Sequence, residues 1–207
     1  MKKFLAIFTA VLLLSGCSIF ADYYNAEQLA DEMEKAVIAL NNNDKQSEKI
    51  GTLYEEMMGL ADGLAENSKD QAKITEINTK LAEIKKLSAD YKAELQRING
   101  QLSDFQAKAA KLEDGELKKL ADTFLANFKS SIDADIKYTD GYDKLIGMDE
   151  AYIKSLTEGT KAPTEAEYEQ LDGELTKLQD DVTNKIDQFN NSWGTFVEKI
   201  GQKLEKQ

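Results

Sequence analysis

From Ile74 to Leu112 the chain places a residue on one seam in alternating steps of three and four: Ile74, Ile77, Leu81, Ile84, Ser88, Tyr91, Leu95, Ile98, Leu102, Phe105, Ala109 and Leu112. Only Ser88 is polar. A period of 3.5 held over this length fits long helices packed seam against seam, because strands alternate every second residue and an unsupercoiled helix drifts from the repeat. Upstream, Leu29, Met33, Ala36, Leu40, Asn43, Ser47, Ile50, Tyr54, Met57, Ala61 and Leu64 keep the same spacing, with a polar interruption at Asn43 and Ser47. A broader stripe follows at Leu117, Leu120, Phe124, Phe128, Ile132, Ile136, Tyr138, Tyr142, Leu145, Tyr152 and Leu156. A last seam runs Tyr168, Leu171, Leu175, Leu178, Val182, Ile186, Phe189, Trp193, Phe196, Ile200 and Leu204, slipping by one residue after Val182 and again near its end.

The breaks between these stripes set the connectivity. Glu66 to Asp70 reads as a turn, with Ser68 and Gln71 as a capping box opening the second helix. The seam changes phase at Glu113-Asp114-Gly115-Glu116, where Gly115 suits a left-handed turn residue. Thr157 to Pro163, with the only proline of the chain, forms the third break, and Thr164 with Glu167 repeats the capping pattern. Four helices with short connections predict an all-α, up-and-down four-helix bundle with coiled-coil-like seams. Folding about Asn67 brings Leu81 to Tyr54. Folding about Thr160 brings Trp193 to Phe128, Phe189 to Ile132 and Tyr168 to Tyr152. The competing architecture is an extended rod, in which the second and third helices run on as one. Glycines inside the helices, such as Gly141 and Gly147, predict bends or close helix approaches.

Composition narrows the chemistry. The chain has no histidine, one cysteine and a formal charge of −12, so neither nucleic acid nor an anionic lipid headgroup is a natural partner for a basic patch. Without histidine, a free thiol or a glycine-rich phosphate loop, no catalytic residue, cofactor or enzyme activity is expected. Asp133, Asp135, Asp140 and Asp143 crowd together but lack the glycine and terminal glutamate of a calcium loop, which favours a solvated acidic face over a metal site. The aromatic residues Tyr138, Tyr142, Tyr152, Tyr168, Phe189, Trp193 and Phe196 recur at helical spacing, which favours core packing over a sugar-stacking surface. Asn41-Asn42-Asn43-Asp44 reads as a kink in the first helix with capping residues.

At the amino end, Lys2 and Lys3 precede an apolar run from Phe4 to Leu14, then Ser15, Gly16 and Cys17. The run is short for a spanning helix and has the layout of a signal peptide. Leu14-Ser15-Gly16-Cys17 resembles the bacterial lipobox, which implies cleavage between Gly16 and Cys17 and a diacylglycerol-modified, acylated (for example palmitoylated) cysteine as the first mature residue. The expected organisation is a signal peptide over 1–16, an anchor and tether over 17–22 and a helical bundle over 23–207. Tyr23 and Tyr24 are placed at the membrane interface. With Cys17 acylated no thiol remains for a disulfide.

Gly115-Glu116-Leu117-Lys118-Lys119-Leu120, Tyr142-Asp143-Lys144-Leu145, Tyr152-Ile153-Lys154-Ser155-Leu156 and Asn190-Asn191 together resemble the YkyA-like cell-wall-binding lipoproteins of Gram-positive bacteria. The arginine-tyrosine pair associated with relatives is replaced here by Ser131-Ile132. The resemblance implies a helical bundle on the extracytoplasmic face of the cell membrane, without catalytic residues, that binds peptidoglycan or an envelope protein. A chaperone-like module that holds an exported polypeptide, with the helix opening at Asn43 and Ser47, is the alternative expectation.

Overall fold

The computed structural model describes residues 21–113 and 115–204, and every regular element among them is helical. The elements are α1 (Ala21–Glu66), α2 (Gln71–Gly100), α3 (Leu102–Ala109), α4 (Gly115–Glu158) and α5 (Glu165–Leu204). α1 opens inside the stretch 17–22 expected to be tether. The helices form two compact units. A hairpin unit, Asn43–Glu94 with Ile136–Asp180, contains the α1/α2 and α4/α5 turns; a terminal unit contains 21–42, Leu95–Asp135 and 181–204.

The α1 and α2 seams are buried as their period requires. Every α1 seam position is buried except Ser47, and every position from Ile74 to Leu112 is buried except Ile74 itself. In the hairpin unit, cross-helix partners nest around the turn at Asn67, with Lys80 on Glu56 at 2.7 Å, Lys49 on Glu83 at 2.6 Å and Asn43 on Tyr91 at 3.0 Å. That is the register expected from the seams. The cap differs from expectation. Asp70, not Ser68, closes the helix start, its Oδ1 accepting the Lys73 amide at 3.2 Å, because a side chain directly before the first helical residue reaches the third amide.

The second expected helix is interrupted once. α2 ends at Gly100 and α3 begins at Leu102, while Gln101 stays right-handed at φ −78 and ψ −11. Its amide bonds the Ile98 carbonyl at 3.0 Å, a tightened turn that leaves Ile98, Leu102 and Phe105 buried in phase.

The chain then turns back between Ala109 and Gly115. Ser88 and Lys92 reach Asp143 and Asp140 in the hairpin unit, and Asn99 reaches Asp133 in the terminal unit. α2 and α4 are thus antiparallel neighbours, and the rod is ruled out. Gly115 supplies no left-handed residue; it is the first residue of α4, and the positive-φ glycine among the described residues is Gly159, at φ 70.

α4 follows a stricter seam than its large apolar residues suggest. Ala121, Leu125, Phe128, Ile132, Asp135, Thr139, Tyr142, Ile146, Asp149 and Ile153 alternate steps of four and three, and all are buried. Leu120, Ile136, Tyr138, Leu145, Tyr152 and Leu156, expected on the stripe, are half-buried at its flanks.

The α4/α5 pairing lies one helical turn from the expected register. Phe189 contacts Phe128 with ring centroids 5.0 Å apart, and Trp193 contacts Phe124 at 5.1 Å. In the hairpin unit Tyr168 bonds Asp149, a residue near Tyr152 but closer to the α4 start. α4 is closed by Gly159, whose amide bonds Ser155 at 3.2 Å, whereas α5 begins only at Glu165. The fold-back therefore pivots at Gly159, and the residues to Thr164 are spent in the connection. Thr164 and Glu167 form the capping box as expected: the Glu167 amide donates to Thr164 Oγ1 at 3.3 Å and the Thr164 amide to Glu167 Oε2 at 2.6 Å.

Candidate functional site

Gly16 and Cys17, the expected cleavage and lipidation residues, lie outside the described residues, as do the signal peptide 1–16, the tether up to residue 20 and the Tyr23 side chain. Tyr24 is exposed near the start of α1. Among the described residues no helix is long and apolar enough to cross a membrane.

The four clustered aspartates are drawn to different neighbours. Asp133 pairs with Lys129 and accepts from Asn99, Asp140 pairs with Lys92, Asp143 accepts the Ser88 hydroxyl at 2.6 Å, and Asp135 is buried. No three metal-ligating side chains of the His, Cys, Asp or Glu type converge among the described residues. Phe189, Trp193 and Phe196 are buried and in ring contact with Phe124 or Phe128, so these rings are core. The asparagine run does not break α1. Asn43 is 2% exposed, donates from Nδ2 to the Tyr91 carbonyl and accepts from Gln46 at 3.0 Å, which ties the polar layer down at the place where the chaperone-like alternative put an opening.

A polar centre that sequence reasoning passed over lies in the hairpin unit. Asp149 is 1% exposed on the α4 seam. Its Oδ1 accepts the Tyr168 hydroxyl of α5 at 3.1 Å. Its enclosed Oδ2 meets no donor at full hydrogen-bond geometry, although the Tyr54 hydroxyl of α1 is near enough to ease its charge. Burial pushes the Asp149 carboxyl above the usual aspartate range, against the opposing effect of the two tyrosines. Burial, then the Asp149 charge, raises Tyr54 and Tyr168; burial, then Tyr138 and Asp149, raises Tyr142. Tyr54 and Tyr142 stack at a tilt, 5.9 Å between centroids. The seam itself held the signal: Tyr142, Ile146, Asp149 and Ile153 keep the three-four step, which turns the aspartate inward. The centre can hold a proton and a hydrogen-bond network, but offers no nucleophile beside a base.

Residues 1–18 match the prokaryotic membrane lipoprotein lipid attachment site. The chain thus carries an all-helical fold behind a lipoprotein attachment motif, which implies lipid-anchored association with a membrane. No curated protein and no solved structure matches it.

Proposed function

We propose that the chain is a non-enzymatic lipoprotein of the extracytoplasmic face, cleaved between Gly16 and Cys17 and acylated on Cys17, that binds the cell wall or another envelope component. The attachment motif over residues 1–18 carries this reading. Lone Cys17, no histidine and a formal charge of −12 agree with it. So does the resemblance to the YkyA-like cell-wall-binding lipoproteins of Gram-positive bacteria. Two acyl chains hold such a protein on a bilayer where one chain gives only reversible attachment.

The test is sedimentation of the purified fragment Ser18–Gln207 with isolated peptidoglycan at modest salt. Wall binding predicts that the fragment pellets with the polymer and that excess soluble wall fragments release it. A fragment that stays in the supernatant while envelope proteins co-purify with the lipidated chain would replace the wall by a protein partner.

A further inference from the structure

The first half of α5 adds no residue to the apolar cluster of the hairpin unit. The apolar cluster there, including Ile50, Tyr54, Met57, Leu81, Ile84 and Ile146, is built by α1, α2 and α4. Between Glu165 and Asp180 the only buried residue is Leu171. Leu175 and Leu178 are half-buried and lie over Gly141, where an added Cβ would stand 3.0 and 3.1 Å from their methyl carbons. A polar link is Tyr168 on Asp149.

Asp149 makes this link sensitive to charge. An ionised carboxylate away from water is costly unless a cation or several donors compensate it. The groups that act on Asp149 are the Tyr54 hydroxyl from α1 and the Tyr168 hydroxyl from α5, and the Asp149 charge in turn acts on Tyr142 of α4. On α2, Lys85 is engaged by Glu150, which also takes Lys154. Lifting α5 would let water reach the carboxylate at the loss of the Tyr168 hydrogen bond and a small apolar contact. Segments with few buried apolar contacts are those that open locally.

We infer that the α5 segment Glu165–Asp180 is a strap that opens from the hairpin unit, and that ionisation of Asp149 sets how often it opens. Closure holds the carboxyl where its neutral form is favoured. Because burial raises its pKa, the closed strap has its full stability below the ordinary aspartate range and loses it as pH rises through the raised value. Opening bares Gly141 and Asp149 together with the tyrosines around them.

Hydrogen exchange on the lipidated chain in detergent, corrected for the intrinsic pH dependence, tests this. Protection over 168–180 should be lower than over 186–200 and should fall with pH, by up to about tenfold per unit between the open and closed pKa values. Asp149→Asn should flatten that profile, and protection over 186–200 should stay level in both proteins. Equal protection of the two segments, or the same pH profile with and without Asp149, would overturn the strap. Should the Asn variant lose helix by circular dichroism, Tyr168→Phe decides instead: faster exchange confined to the strap supports it, and unchanged exchange refutes it.

Discussion

The two halves of α5 pack in opposite ways. In the terminal unit, Val182, Ile186, Phe189, Trp193, Phe196, Val197 and Ile200 are buried, and three of them, Phe189, Trp193 and Phe196, form an aromatic stack with Phe124 and Phe128. In the hairpin unit the same helix buries Leu171 alone and rests on a glycine and a carboxylate. The contrast shows that a continuous helix need not be uniformly held: hydrogen bonding runs its length, while tertiary stability follows the side chains on its face.

Emptying each half of α5 in turn separates the two modes of packing. Phe189→Ala should cost about 3–5 kcal/mol by thermal or urea unfolding, since it removes a fully buried ring from the stack. Leu171→Ala should cost less, about 2 kcal/mol, because the site is at the edge of a thin contact and can collapse. Equal losses would mean that α5 is held as firmly in both units. Next in size is the polar seam of the hairpin unit. Asn43→Ala should cost about 1–2 kcal/mol in urea unfolding, whereas Asn43→Leu should stay within about 1 kcal/mol of wild type, since the Tyr91 carbonyl can lose a side-chain donor more cheaply than the core can accept a void.

Smaller effects sharpen the role of close approach. At Gly147 an added methyl meets nothing within 4 Å, so Gly147→Ala should raise the melting temperature through about 0.5–1 kcal/mol of helix propensity. Gly141→Ala should gain less than that, because its methyl presses on Leu175 and Leu178. A larger gain at Gly141 than at Gly147 would show that α5 does not lie closely on α4. Smallest of all is the exposed pair Lys49 and Glu83, 55% and 41% accessible, where Lys49→Ala should change stability by about 0.5 kcal/mol or less in the same unfolding assay.

The contrast also explains how far the sequence could be read. The α1/α2 hairpin was legible down to register because both partners keep a strict seam of large apolar residues, and even the polar positions Asn43 and Ser88 stay on it. The α4 seam is equally regular but runs through Asp135, Thr139 and Asp149. A reading by hydrophobicity therefore moved to the flanking leucines and tyrosines and missed the buried carboxylate. The α4/α5 register was displaced by one turn because Gly159 alone takes the left-handed turn while 160–164 extend as connection. That asymmetry lies in backbone conformation, which periodicity does not encode. The attachment motif was legible because its chemistry needs a contiguous run of residues rather than a fold.

The proposed tether is an acylated Cys17, a few residues before the first residue of α1. Intact and peptide mass spectrometry of the protein recovered from cell membranes tests it most directly, with the Cys17→Ala form alongside. With Cys17 as the tether, the mature amino-terminal peptide begins at Cys17 and carries a diacylglycerol mass, and the Cys17→Ala protein is unlipidated and absent from the membrane fraction. An unmodified Cys17 in the membrane-bound protein, or undiminished membrane retention of Cys17→Ala, would contradict it.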